Sequence, residues 1–240
     1  MKLYLFQLAT LQPDDIPIPA YLVQTDEGQN ILIDSGFPEF FCGKRIELPG
    51  GRTVEMAADG FIVNRLKAIG LRPEDIHLVV CTHLDADHAG GHTAFPSAEF
   101  IVQRTNYELA RESEDPRFAA LRDTWNHPSL RYRLVEGDTE LVPGIELIET
   151  SGHVPGHQSV LVRLPYTGAV LLAIDAVPDS SMTDADTRWV MPVYDMDEKA
   201  TRASTRKLAE LVAREKVTLT IYGHDASQWA TLKHAPEYYS

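Results

Sequence analysis

The sequence predicts a mixed α/β (α+β) fold in one domain, residues 1–240, and three observations lead there. Apolar runs rich in β-branched residues recur along the whole chain, and helical patterns fall between them. No low-complexity tract or short repeat marks a linker between separable units. With 240 residues, 44% of them hydrophobic and 24% charged, the chain can bury a substantial core.

The opening KLYLFQL, Lys2 to Leu8, reads as a first strand. It has a single lysine, an apolar run broken by Gln7 and no small-residue cleavage site, so it does not read as a signal peptide. Strands follow at Ala20 to Gln24 and Ile31 to Asp34, joined through DEGQ as a hairpin. Gly60 to Ile69 reads as a helix, because Phe61, Ile62, Leu66 and Ile69 share one face and Gly70 stops it. The run HLVVCT, His77 to Thr82, is a buried strand, followed by strands at Glu99 to Gln103, Ile145 to Thr150, Ser159 to Leu164 and Ala169 to Ile174. A long helix over Asp197 to Lys216 carries Leu208, Leu211 and Val212, and Val217 to Tyr222 is the last strand. Residues 37–57 and 176–196 are the least regular, and loops beside a rigid scaffold are where substrate contacts concentrate.

Charge narrows the partners. A net charge of -13 without a basic run opposes nucleic acid and anionic membranes. No segment approaches the roughly 20 apolar residues of a membrane span. Two cysteines, Cys42 and Cys81, make no disulfide framework, so a cytoplasmic location is expected.

Chemistry concentrates in CTHLDADHAGGH, Cys81 to His92, where His83, Asp85, Asp87 and His88 fall at the carboxyl end of a predicted strand. Imidazole and carboxylate together bind divalent first-row metals, and one loop can fold several such ligands around an ion. Gly90 and Gly91 are expected to let the backbone turn tightly behind them. For any single Asp-His pair a helix-capping loop, with Asp87 as the cap, is the simpler account. The full HxDxDH pattern favours metal.

Three more strand ends deliver similar groups: His153 in IETSGH, Asp175 in LLAID and His224 in IYGHD. Four separate segments therefore present ligands, as a dinuclear site with one bridging carboxylate requires. His157 is expected behind the ligands rather than among them. His77, His92, His127 and His234 lack such context and read as surface or packing residues.

On these motifs the chain resembles the metallo-β-lactamase superfamily and, within it, the quorum-quenching N-acyl homoserine lactonases. The similarity runs from YLVQTDEGQNILIDSG through FIVQRTNYE and EGDTELVPGIELIETSGHVPGHQS to IYGHD and PEYY, nearly the full length. The resemblance implies a four-layer αβ/βα sandwich with two divalent ions, zinc above all, between its sheets. It places one ion on His83, Asp85 and His153 and the second on Asp87, His88 and His224, with Asp175 bridging. Asp87 is also the candidate catalytic carboxylate, and Asp34 in IDSG is expected either to orient a ligand or to cap its turn. The family's reaction is attack of a metal-activated hydroxide on a lactone carbonyl. Phe40, Phe41, Met56, Phe61, Trp189, Met191 and Tyr194, in or beside the irregular segments, are candidates for an apolar substrate wall. The implied partner is a small lactone or ester, acted on by a monomer or homodimer.

Two positions depart from the family pattern. The lactonases usually show HxHxDH, and Asp85 stands at the second position here. Counting Asp85, Asp87, Asp175 and a hydroxide against two divalent ions gives a neutral centre, which should be a weaker Lewis acid and more hospitable to manganese or iron. Many of these lactonases carry a tyrosine three residues after the bridging aspartate, where this chain has Pro178. The alternatives are a thioesterase of the glyoxalase II kind, disfavoured by the lack of a basic cluster, another ester hydrolase, or a non-catalytic metal-binding or ligand-sensing protein.

Overall fold

The alternation of side chains along each strand decides how the layers stack. In the computed structural model, which describes residues 1–48 and 51–240, Leu3, Leu5, Tyr21, Val23, Ile31 and Ile33 point into one core while Tyr4, Phe6, Ala20, Leu22 and Leu32 point into another. Those strands are β1 (Lys2–Gln12), β2 (Ile16–Gln24) and β3 (Asn30–Ile33). With β4 (Lys44–Glu47), β5 (Thr53–Met56), β6 (Leu78–Val80), β7 (Glu99–Gln103) and β8 (Arg131–Val135) they form, among the described residues, an eight-stranded sheet in the order β4-β5-β1-β2-β3-β6-β7-β8. A second sheet runs β13-β12-β11-β10-β9, from β9 (Thr139–Val142), β10 (Ile145–Glu149), β11 (Gln158–Leu164), β12 (Gly168–Ile174) and β13 (Leu219–Tyr222).

The inner face of the second sheet supplies Ile145, Leu147, Val160, Val162, Val170, Leu172 and Ile221 to the core shared by both sheets. Outside the first sheet lie α1 (Ile62–Ala68), α2 (Ala86–Ala89), α3 (Arg104–Glu112), α4 (Pro116–Ala119) and α5 (Arg122–Trp125), burying Ile62, Leu66, Ala110, Phe118 and Trp125. Outside the second, α6 (Glu198–Glu215) buries Leu208 and Leu211 against Leu161, Leu171 and Ala173. The short α7 (Ala226–Trp229) sends Trp229 into the core between the sheets, and the outer helices with the two sheets make the four layers of the αβ/βα sandwich that the resemblance implied. Asp197 caps α6 by accepting from Ala200 N, and Lys216 ends it in the left-handed conformation.

Strand direction sets the site edge. β3, β6 and β7 are mutually parallel, so Asp34 and His83 leave adjacent strands at the same edge. β10 and β12 both run antiparallel to β11, and β12 is parallel to β13, so His153, Asp175 and His224 also leave along one edge. Gln158 links the sheets there, donating from its backbone to Thr82 O at 3.0 Å and from Nε2 to Cys81 O at 2.8 Å.

Several expectations need correction. Residues 37–57 hold β4 and β5, a hairpin whose second strand pairs with the far end of β1; Pro49 and Gly50 within it lie outside the described residues. Strand β5 aims Val54 and Met56 inward, so Met56 is core, as are Phe61 and Phe41, whose ring stacks on Phe37 at 5.1 Å. Those three side chains are packing, not a wall open to substrate.

Candidate metal centre

All seven ligand candidates come together. His83 Nε2 lies 3.4 Å from Asp85 Oδ2 and 3.8 Å from Asp175 Oδ2, and His153 Nε2 lies 3.2 Å from both of those oxygens. In the adjoining cluster His88 Nε2 is 3.7 Å from Asp87 Oδ2 and 3.6 Å from Asp175 Oδ1, with His224 Nε2 at 3.1 Å from the same Oδ1. Asp175 thus turns one oxygen to each group. His83, His153 and Asp175 form one set whose ligand atoms lie within 4.8 Å of one another, and Asp87, His88 and His224 form another. The Nε2 atoms of His83 and His88 and Oδ1 of Asp175 are buried without a hydrogen-bond partner, an expense that a divalent ion would relieve.

The opposite nitrogen of each ring is already engaged. His88 Nδ1 donates to Asp34 Oδ2 at 2.8 Å, His224 Nδ1 to Pro17 O at 2.9 Å, and His153 Nδ1 faces Asp195 Oδ1 at 3.4 Å. Thr82 Oγ1 gives its hydrogen to Asp34 Oδ2 at 2.7 Å, so it accepts from His83 Nδ1 at 3.1 Å. These contacts fix the tautomers that leave Nε2 free for a metal. Asp34 also accepts from Thr82 N at 2.8 Å, so it both orients His88 and ties β3 to the His83 loop. His157 sits behind Asp175: it accepts from Asp175 N at 3.2 Å and its Nδ1 donates to Thr150 Oγ1 at 2.8 Å.

The backbone is shaped for the site. Ile174, directly before Asp175, has φ 52°, a region that β-branched residues avoid. A Cβ on Gly223 would lie 2.7 Å from Ile174 O and 3.0 Å from Asp175 Oδ1, so only glycine fits beside the strained peptide. Gly90 and Gly91 serve proximity rather than a tight turn. Gly90 is helical, at φ -67° and ψ -19°, and a Cβ there would stand 2.6 Å from Pro38 N, while one on Gly91 would stand 2.8 Å from Ser35 O. Asp87, the cap in the helix-capping account, lies within α2, and Asp85, which does occupy the N-cap position, makes no capping bond.

Electrostatics follow from burial and proximity. Burial opposes charge on His88, yet Asp87, Asp175 and Asp34 prevail and raise its pKa to about 10. Burial and the neighbouring His88 lower that of His83. Against the desolvation that would raise them, the facing imidazoles hold Asp85 and Asp175 well below the usual carboxylate range, Arg117 assisting at Asp85. At His153 two indications conflict. Burial notwithstanding, Asp175, Asp195 and Asp85 raise it to about 9, but Arg117 Nη2 points at its Nε2 from 2.7 Å, which requires a lone pair there. The contact decides, since two N–H groups cannot share that line: the ring is neutral while Arg117 stands beside it.

Arg117 and Asp195 were not among the residues singled out from the sequence. Arg117 grips Asp85 with Nε to Oδ1 at 2.7 Å and Nη2 to Oδ2 at 2.5 Å, and its Nη1 donates to Tyr194 O at 2.6 Å. The neutral charge count therefore fails: three aspartates and one guanidinium leave -2, the value that two aspartates and a histidine would give. Tyr194 meets the site through its backbone, and Asp195 receives Met191 N at 2.9 Å, fastening the 191–196 loop to His153. Phe40 and Trp189 are exposed, at 56% and 66%, and Met191 is half-buried. Pro178 is buried, and its carbonyl accepts from His224 N at 2.7 Å.

The remaining histidines serve elsewhere. His92 packs on Phe100, between Cys81 Sγ and Tyr132 Oη, and burial holds its pKa down to about 3. His77 accepts from Asn30 N.

Comparison with known proteins agrees with this geometry. Residues 13–224 match the model of the metallo-beta-lactamase superfamily. An N-acyl homoserine lactonase from a Bacillus species is 39% identical, over 96% of this chain and 91% of its own length. The N-acyl homoserine lactonase AiiA of Bacillus thuringiensis subsp. kurstaki is 37% identical, over 93% and 87%. A solved N-acyl homoserine lactone hydrolase, with N-hexanoyl-L-homoserine bound at its catalytic metal centre, superposes with TM-score 0.85 at 33% identity, covering 99% of this chain and 98% of that one. The chain belongs to the metallo-β-lactamase superfamily and, within it, to the N-acyl homoserine lactonase family of metal-dependent hydrolases.

Proposed function

We propose that this enzyme opens the ring of N-acyl homoserine lactones, using one divalent ion on His83, Asp85 and His153, a second on Asp87, His88 and His224, and Asp175 between them. The observation that carries the reading is the divided carboxylate of Asp175, with Oδ2 toward His83 and His153 and Oδ1 toward His88 and His224. Bound there, the ions would supply Lewis acidity for the lactone carbonyl and acidify a water at neutral pH. The protein's own part is orientation: Asp34 aims His88, the strained Ile174 peptide and His157 aim Asp175, and Gln158 holds the two sheet edges in register. Asp87, with 22% of its side chain exposed against 12% for Asp85 and 8% for Asp175, is the carboxylate assigned to proton transfer to the leaving ring oxygen. Phe40, on the loop whose Pro38 lies against Gly90 at the end of α2, and Trp189, Met191 and Tyr194, on the loop tied to Arg117 through Tyr194 O, are assigned to the acyl chain.

Zinc suits the imidazole-rich donor set, with manganese or iron admitted by the oxygen of Asp85. We further propose a single-domain enzyme acting as monomer or homodimer on a small lactone or ester; the net charge of -13 speaks against nucleic acid and anionic membranes, and the two cysteines suit a cytoplasmic location. The test is a panel of acyl homoserine lactones, other lactones, esters and glutathione thioesters against metal-loaded protein. Selective turnover of the first group is expected. Activity confined to thioesters would replace the substrate, and inactivity throughout at full metal occupancy would end the hydrolytic reading.

A further inference from the structure

Among the described residues, Arg117 is the one arginine or lysine side chain inserted between the proposed ligands. Its guanidinium lies against Asp85 and His153, both ligand candidates of the same cluster, and it shares Nη2 between Asp85 Oδ2 at 2.5 Å and His153 Nε2 at 2.7 Å. Those are the lone pairs that an ion on His83, Asp85 and His153 would need. The Asp87, His88 and His224 cluster has no arginine or lysine within salt-bridge distance among the described residues. The side chain is anchored at three points, Asp85, His153 and Tyr194 O, and only 17% exposed, so it is held in place rather than waving at the surface.

We propose that Arg117 is an internal counter-cation that sets the metal affinity of the His83, Asp85 and His153 site, making it the weaker of the two, and that Asp85 and Arg117 together replace the neutral ligand usual at that position. Arg117 is a positioning residue: it acts through Asp85, whose carboxylate it holds at both oxygens, and through His153, whose Nε2 it must release before that nitrogen binds an ion. The pair keeps the charge around the two ions at the value that a histidine alone would give, so exchanging either member by itself unbalances the site.

The inference rests on the proposed two-ion reading, and the test separates them. Metal-free protein is titrated with Co(II) against a competing chromophoric chelator, and the two binding steps are resolved. Wild type should show one tight and one weaker step. Arg117→Gln should tighten the weaker step at least about tenfold, since a unit charge a few ångströms from a divalent ion is removed, with a distinctly smaller change in the other. Arg117→Lys keeps the charge and should leave the weaker step within about threefold of wild type. Asp85→His, which leaves Arg117 uncompensated, should weaken that step, and the double variant Asp85→His with Arg117→Gln should restore it. Where Arg117→Gln does not fold, the Asp85→His arm decides alone. Two equally tight wild-type steps, an unmoved or weaker step in Arg117→Gln, or tightening by Asp85→His would overturn the role of Arg117. Failure of either cluster to take any ion would overturn the two-ion reading itself.

Discussion

Asp34 and His88, 54 positions apart, meet through a hydrogen bond of 2.8 Å from Nδ1 to Oδ2, and the same carboxylate receives the amide and hydroxyl of Thr82. One side chain thus orients a proposed ligand and closes the loop that carries another.

Asp34→Asn should lower metal affinity by roughly ten- to a hundredfold, the usual cost of losing an orienting partner behind a ligand. Asp34→Ala should in addition lose about 1 to 3 kcal/mol of stability, because the buried Thr82 amide is left unpaired. Chelator competition and thermal melts of the metal-free proteins separate these effects. A full metal complement with unchanged affinity in both variants would show that Asp34 only shapes the turn.

Gly223→Ala tests the seat of Asp175. The added methyl has no room beside Ile174 O, 2.7 Å away, so the peptide before Asp175 must shift. Turnover should fall more than about tenfold, since small displacements of a reacting constellation are costly, and metal content should drop below two per chain. An alanine variant with two ions and normal kcat would mean that Asp175 tolerates movement.

Loading the Asp87, His88 and His224 cluster should release protons. Neighbouring carboxylates raise His88 to about 10 against the cost of burial, so at pH 7 its imidazole is protonated and must give up a proton to bind an ion. Apparent affinity should therefore climb with pH and level off only above about pH 10, where the ring becomes neutral. Calorimetric titrations in buffers of different ionisation enthalpy count the protons. None released at pH 7 would contradict the protonated cluster.

Trp189→Ala addresses the acyl chain. Exposed at 66%, the ring is free to cover an apolar substrate. KM for long-chain lactones should rise by about fourfold for each methylene that loses its contact, with short chains little affected. Equal changes across chain lengths would assign Trp189 to loop packing.

The proposed ligand set was legible because each segment that carries it follows a buried strand, β6, β10, β12 or β13, and an apolar run followed within a few residues by His or Asp is a local signal. Arg117 had none. It follows a proline in DPRFAA and lies 32 positions from Asp85, so only the question of what compensates Asp85 could have pointed to it. Strands β4, β5, β8 and β9 were missed because they are short and lie at or next to sheet edges with many exposed or half-buried side chains, and Arg131–Val135 reads as alternating charge rather than as an apolar run. The α3 helix buries only Asn106 and Ala110, too little to show a stripe. Phe41, Met56 and Phe61 misled because an aromatic or methionine near an irregular segment looks the same in sequence whether it faces substrate or core.

Each half of the proposed metal centre draws on both sheets: His83, Asp87 and His88 follow a strand of the eight-stranded one, His153, Asp175 and His224 strands of the five-stranded one. Ions held there would act as rivets between two β layers otherwise joined by their apolar faces and by the hydrogen bonds of Gln158. Heat tolerance should then be a property of the surrounding medium as much as of the chain, rising with the free metal concentration available when the layers begin to part.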